Sequence, residues 1–246
     1  MRIIERTETK PIQIGSITIG GYSEIAIQTM TKCKTSDVKT TIKQINEFVK
    51  YGANLVRVAV LDEEDARALP EIVKNANCPI IADIHYNYRF ALQAIKAKVA
   101  KIRINPGNIG DRSNILEIIN QAKINGTAIR IGINGGSLKL DPSGSAVVQL
   151  VDCALQWIKF FKKNKFYNLV VSIKHSNPEI TRKANVELAK HCKYPIHLGV
   201  TEAGPKDAAI VKSCVGLLPL LMAGIGSTIR ISINGDAKNE IKIAKL

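Results

Sequence analysis

The sequence predicts an α/β fold: a (β/α)8 TIM barrel preceded by a short N-terminal β-hairpin and ending on a truncated last helix, as one domain over residues 1–246. Three observations predict it. Short β-branched runs alternate eight times with longer amphipathic segments, the pattern of consecutive βα units. Five of these runs place a cation in the phase opposite their β-branched residues: Arg57, Arg103, Arg130, Lys174 and Arg230. With helices packed outside, that phase faces the middle of a closed sheet and not water. A chain of 246 residues also suits one large domain with a substantial core. A doubly wound open sheet is the alternative, but eight consecutive units and the inward polar phase favour closure.

The elements follow in order. Residues 11–15 and 17–21 alternate across a tight turn and form the hairpin, which is expected to cover one end of the sheet. Residues 25–30 are the first barrel strand. Ser36 or Asp37 caps the helix that runs to Tyr51, and Gly52 ends it. Residues 55–60 are the second strand, with an acid-started helix over 62–74. The third strand is 79–85, with a helix over 88–97. The fourth is 101–105, with a helix over 112–125 stopped by Gly126. The fifth is 128–134, then a glycine-rich loop and a long helix over 146–163. The sixth is 169–174, with a helix over 178–191. The seventh is 196–201, with a helix over 206–223 that Gly224 and Gly226 terminate. The eighth is 228–234. The final helix starts at Ala237, and Ile241, Ala244 and Leu246 are its apparent apolar contacts.

Composition narrows the function classes. Hydrophobic residues are 46% of the chain, which excludes a disordered protein. A formal net charge of +14 fits an anionic ligand, nucleic acid or simply a Lys-rich surface, and Lys162, Lys163 and Lys165 read as a solvated helix face. Aromatic residues are only 5%, with no basic–aromatic alternation, so base stacking is not indicated. The first ten residues carry charges of both signs and no apolar leader segment, and no run of about 18 apolar residues occurs. Neither signal peptide nor membrane span is expected, and the expected location is cytoplasmic. Five cysteines are spread along the chain without a CxxC pair. Cys153 and Cys214 read as helix packing, Cys78 and Cys192 as lying near helix ends, and Cys33 as the one near the barrel mouth. A structural zinc site or a disulfide framework is not expected.

In such barrels chemistry sits at the C-terminal ends of the strands. The inward-phase residues there are Gln28, Met30, Arg57, Asp83, His85, Arg103, Asn105, Arg130, Asn134, Lys174, Thr201, Arg230, Ser232 and Asn234, and Glu202 follows the seventh strand directly. Several buried cations in one place need compensating anions, and the acids on these strands are too few. The missing charge is most simply a bound polyanion such as a diphosphate, which Arg grips in bidentate fashion and Lys as a point charge. Asp83 and Glu202 stand out as acids, though cations nearby hold a carboxylate ionised and suit it to charge balance. The glycine-rich turns at residues 105–110 and 134–137 offer backbone N–H groups to phosphate.

These strings resemble the 4-hydroxy-3-methylbut-2-enyl diphosphate synthase family of the methylerythritol phosphate route to isoprenoids. The resemblance is carried by IQTMT from Ile27, GANLVRV from Gly52, ADIHYNYR from Ala82, RINPGNIG from Arg103, IRIGINGGSL from Ile129 and HLGVTEAG from His197, in the family's order and across nearly the whole chain. It implies a barrel that binds 2-C-methyl-D-erythritol 2,4-cyclodiphosphate. Arg57, Arg103, Arg130, Lys174, Arg230 and Ser232 are then the diphosphate cradle, with Asn105 and Asn134 assisting. Glu202 is the acid facing the hydroxyl that leaves as water, and Asp83 is a supporting barrel acid; these two are the catalytic candidates. The implied reaction is a two-electron reductive opening on a [4Fe–4S] cluster fed by flavodoxin or ferredoxin.

One departure from the family is large. Its cluster is held by three cysteines and a glutamate in a second domain, and neither the CxxC pair nor the Asn-Gly-Pro-Gly-Glu segment of that domain occurs before Leu246. The spacing of the five cysteines does not supply three converging thiolates, so no metal ligand is assigned in this chain. The segment 139–144 is also shorter than the family's. The expectation is the barrel half of the enzyme, inactive without a cluster domain in trans. The implied partners are a cluster-domain polypeptide or a homodimer. Two other readings stay open: a Schiff-base barrel aldolase acting on a sugar phosphate through Lys174, whose pKa a ring of arginines depresses, and a basic module for nucleic acid.

Overall fold

The computed structural model describes residues 6–246; residues 1–5, part of the segment read for an apolar leader, lie outside the described residues. Strands β1 (Ile12–Ile14) and β2 (Ile17–Ile19) pair antiparallel as the hairpin. The barrel strands are β3 (Ala26–Met30), β4 (Leu55–Val60), β5 (Ile80–Ile84), β6 (Lys101–Ile104), β7 (Ala128–Asn134), β8 (Leu169–Lys174), β9 (His197–Leu198) and β10 (Thr228–Ile229). The helices are α1 (Val38–Tyr51), α2 (Glu63–Asn75), α3 (Tyr88–Lys96), α4 (Arg112–Asn125), α5 (Ala146–Lys163), α6 (Pro178–His191), α7 (Lys206–Met222) and α8 (Ala237–Lys245). All barrel pairings are parallel, and β10 joins β3 to β9. A bridge between Val171 and Ile196 closes the ring between β8 and β9, and Val171 N donates to Pro195 O at 3.0 Å. Among the described residues no helix is long and apolar enough to cross a membrane.

Local chemistry sets the helix ends. Asp37 and Asp62 accept from Thr40 N and Asp65 N and so satisfy donors that the first turns leave open. Gly52 ends α1 at φ 102°, a left-handed conformation that glycine adopts without a Cβ clash.

The apolar phase of the strands packs outward against the helices, while the inward phase divides by height. At the N-terminal mouth, Ile12, Ile14 and Ile19 of the hairpin pack on Ala26, Leu55, Ile81, Ala128 and Val170 as a separate apolar cluster. The hairpin therefore plugs the end away from the chemistry, as its alternation suggested.

Three expectations are corrected. The seventh and eighth strands pair over two residues each, not over 196–201 and 228–234. Beyond them the chain keeps only single hydrogen bonds, such as Arg230 N to Leu198 O and Thr201 N to His175 O. Gly199 explains the break in part: a Cβ there would lie 2.5 Å from Lys174 Nζ and 2.7 Å from Arg230 O, so side chains of the interior occupy the space. Leu246 is fully exposed; Ile241 and Ala244 pack on the core as expected, and the buried carboxylate of Glu240 adds an anchor for α8. Cys214 is exposed on α7 and packs no core.

Candidate active site

A parallel barrel of eight strands staggers its strands by about one residue each as it closes. Following the observed register with that stagger places the inward side chains in levels. Arg57, Arg103, Ser172 and Arg230 share one level. Above it stand Met30, Asp83, Gly132 and Gly199. Asn105, Lys174 and Ser232 come next, and His85, Asn134 and Thr201 surround the mouth. The levels open into a polar cavity of about 180 Å³ lined by Arg57, Asp83, His85, Arg103, Arg130, Asn134, Ser172, Lys174, Val200, Thr201, Glu202, Arg230 and Ser232. Arg130 belongs to the level below and reaches up into it.

Two carboxylates organise the arginines. Asp83 lies 3.4 Å from Arg57 Nε and 3.3 Å from Arg103 Nη1, with His85 Nε2 at 3.9 Å. Burial alone would raise its pKa, but the charges of Arg57, Arg103, Arg130 and His85 outweigh that and hold it well below the usual carboxylate range. Glu240 reaches in from α8 and is 1% exposed. It accepts from Arg230 Nε and Nη2, both at 3.1 Å, from Thr29 Oγ1 at 2.9 Å and from Lys32 Nζ at 3.2 Å. Burial opposes its ionisation too, and Arg230, Lys32 and Thr29 turn the balance toward the carboxylate.

The remaining cations lack such support. Arg130 and Lys174 have no carboxylate partner among the described residues. Burial, then the neighbouring arginines, pushes the Lys174 amine well below its ordinary pKa. Among the described residues five buried cations thus face two buried carboxylates, an excess of three cationic side chains around one cavity. Two glycines give the long side chains room. Besides Gly199 against Lys174, a Cβ on Gly132 would stand 2.5 Å from Arg103 Nε. Arg57 also lies against Met30 Sδ, at 3.1 Å from Nη2.

Most of the sequence-derived candidates meet here. Asn134 lines the cavity and, with its amide oxygen turned to Arg103, accepts from Nη2 at 3.0 Å. Asn105 does not line it: its amide donates to Ser137 Oγ at 2.8 Å and accepts from Gly107 N at 3.2 Å, so it ties together the two glycine-rich turns. Glu202 sits exposed on the rim with φ 52°, a left-handed backbone unusual for a residue with a Cβ. Met30, Gln28 and Asn234 are not in the lining. Sequence reasoning missed Ser172, although the inward phase of β8 signals it, and Glu240, which nothing in a short, charged helix distinguishes from a solvated acid.

The cysteines do not converge. Among the described residues no group of three or more His, Cys, Asp or Glu side chains is placed to hold a metal ion. Cys33 is half-buried against Thr41 Oγ1 at 3.3 Å and does not line the cavity.

Residues 9–245 match the family model described as the GcpE TIM-barrel domain. A protein of Malacoplasma penetrans named 4-hydroxy-3-methylbut-2-en-1-yl diphosphate synthase (flavodoxin) is 44% identical over 98% of this chain and 67% of its own length. A protein of Geobacillus thermodenitrificans with the same name is 44% identical over 99% of this chain and 66% of its own. The chain thus spans about two thirds of the length of these relatives. Among solved structures, a dihydropteroate synthase from Stenotrophomonas maltophilia superposes with a TM-score of 0.70 at 14% identity, covering 96% of each chain. An N-acetylneuraminic acid synthetase from Leptospira borgpetersenii does so with a TM-score of 0.65 at 14% identity, over 98% of this chain and 88% of its own. These two share the barrel fold.

The charge arrangement sets a pH dependence. Because the folded pKa of Asp83 is depressed, its stabilisation is complete above its unfolded value of about 3.9 and is lost as pH falls toward the folded one. Asp83→Asn, which leaves Arg57 and Arg103 without their anion, should cost about 3–5 kcal/mol at pH 7. Denaturant titrations should show that gap narrowing steadily below about pH 4. A gap that stays constant down to pH 2 contradicts the assignment.

Proposed function

This chain belongs to the GcpE TIM-barrel domain family, and on that footing we propose that it is the substrate-binding barrel of a 4-hydroxy-3-methylbut-2-enyl diphosphate synthase, as a single domain. The ligand is 2-C-methyl-D-erythritol 2,4-cyclodiphosphate. The observation that carries this reading is the excess of positive charge buried around one small cavity, most of which the two negative charges of a cyclic diphosphate offset. Arg57, Arg103, Arg130, Lys174, Arg230 and Ser232 hold its oxygens. Asn134 keeps Arg103 turned toward them, and Asn105 shapes the rim without touching the ligand.

The two acids divide the remaining work. Asp83 is wedged between arginines and held ionised, so it positions Arg57 and Arg103 and does not donate a proton. Glu202, on the open rim and outside any ion pair among the described residues, is the acid that meets the departing hydroxyl. Its left-handed backbone aims the carboxylate from a short turn and not from a strand.

The synthase family is known to use an iron–sulfur cluster, and the relatives' names include flavodoxin, which we take as the electron donor, with ferredoxin as its equivalent. The described residues do not fit such a cluster. The cysteines lie on separate elements, and burial pushes the thiols of Cys78 and Cys192 up to about 12 and about 11, the reverse of what a thiolate ligand needs. No reductive step is therefore assigned to this chain. Its residues bind, orient and neutralise the cyclic diphosphate, and a cluster domain, as a separate polypeptide or in a homodimer, completes the mouth.

One observation favours a second reading. Lys174 is a buried amine with a depressed pKa in a cavity, which is what a Schiff-base lysine requires. A nucleic-acid module is disfavoured, because the five cations point into the barrel where a duplex does not reach.

Calorimetric titration separates these readings. The cyclodiphosphate should bind, and Arg130→Ala should weaken binding by about 1.5–3 kcal/mol, the worth of a lost charged hydrogen bond. Glu202→Gln should leave binding within about tenfold of wild type and abolish turnover once a cluster domain is supplied. Unchanged binding by Arg130→Ala removes the cradle from the reading. Borohydride with phosphorylated aldehydes or ketones should leave no adduct on Lys174 by intact mass; an adduct there establishes the aldolase reading instead.

A further inference from the structure

Beneath the cavity lies a second set of buried polar groups, of which the cradle uses only Arg130. The register places Gln28, Ile81, Arg130 and His197 at one level of the interior, with Leu55, Lys101, Val170 and Thr228 directly below. Gln28 and Arg130 are 1% exposed, and Lys101 and His197 are 0% exposed. Of the four only Arg130 also lines the upper cavity. Below them the apolar plug of the hairpin seals the barrel.

Their hydrogen bonding is incomplete in a consistent way. Both amide atoms of Gln28, Lys101 Nζ, Arg130 Nε and Nη1, and His197 Nε2 have no partner among the described residues. Buried polar groups are satisfied in the great majority of cases, so orphans gathered on two adjacent levels point to a common ligand. Nearly all of them are donors. Lys101 brings three, Arg130 and Gln28 bring more, and His197 Nε2 donates when Nδ1 accepts from Thr228 Oγ1 at 2.7 Å. Gln28 Oε1 is then the one acceptor. A water in such a site has too few acceptors for its own hydrogens, whereas a monoatomic anion has none to place.

Charge leads to the same ligand. Asp83 serves Arg57 and Arg103, and Glu240 serves Arg230. Among the described residues Lys101 and Arg130 have no carboxylate, and two cations so deeply buried without one are costly. Burial, with Arg130 and Arg57 nearby, drives the Lys101 amine well below its ordinary pKa, a pressure that an anion relieves.

We propose that the barrel encloses a halide-class monovalent anion between Lys101, Arg130, Gln28 and His197, as a structural ligand beneath the substrate cavity. It fixes Arg130 from behind as Asp83 and Glu240 fix the other three arginines. The site is independent of which phosphorylated ligand the cavity takes.

Crystals grown with bromide in place of chloride test it at the bromine absorption edge. An anomalous peak between these four side chains is expected; a water there, or bromide on the surface only, overturns the proposal. In solution, chloride should replace glutamate at constant ionic strength while inorganic diphosphate saturates the upper cavity. The melting temperature should then rise with the logarithm of the halide concentration. Lys101→Met, of similar length and without charge, should fold and lose that dependence. If diphosphate abolishes the halide effect, or Lys101→Met retains it in full, the anion sits elsewhere and the proposal fails. The bromide experiment on wild type decides the matter if the variant does not fold.

Discussion

The constraint on which the structure depends is electrostatic: a closed sheet carries more positive charge inside than its own acids neutralise. A Lys or Arg in the interior of a barrel is tolerated only where an anion meets it. Among the described residues six cations stand in the inward phase, counting Lys101, and two carboxylates answer them. The local environment is consistent with this at each position. Asp83 is held ionised against its burial, while Lys101, Arg130 and Lys174 are pushed toward lower pKa. A cavity built this way favours an anion, because an anion relieves a strain that folding itself creates.

The carboxylates do more than balance charge, because each arrives from a different part of the fold. Asp83 is carried by a barrel strand and holds two arginines from the strands on either side. Glu240 comes from the last helix and touches Thr29 on the first barrel strand, Lys32 beyond it and Arg230 beyond the last. The seam between first and last strands is thereby tied to the orientation of one cavity arginine. A short helix held by Ala237 and Ile241 also brings one buried acid to the site. Helix docking and site geometry are coupled at that point, so a change that loosens α8 moves Arg230 as well.

Much of this was legible in the sequence, for physical reasons that also explain what was not. A cation in the inward phase of a strand is visible because the period of two is strict, which is why Arg57, Arg103, Arg130, Lys174 and Arg230 were found together. Helix ends marked by Asp37, Gly52 and Gly126 were legible because caps act through neighbouring atoms. Glu240 was not, since an acid three residues from the Ala at the start of a charged helix has the local signature of a solvated side chain. Nor was the early end of β9 and β10, because it depends on how closely Lys174 approaches Gly199 across strands. Asn105 shares the cations' phase, yet its partners on the following turns draw it away from the cavity.

The interior sorts by height in a way that reconciles stability with binding. Ile12, Ile14 and Ile19 make the N-terminal end apolar, and that burial is non-directional and tolerant. The upper levels are the reverse: they place guanidinium groups where water is partly excluded, strengthening each contact with a bound phosphate and raising the cost of every contact left unmade. Gly132 and Gly199 belong to that upper region, and their missing side chains are filled by Arg103 and Lys174. A glycine in the barrel wall sacrifices packing and chain entropy, so these two positions favour reach over stability. The apolar plug offsets the loss at a distance, which lets the cavity end remain charged, irregular and open.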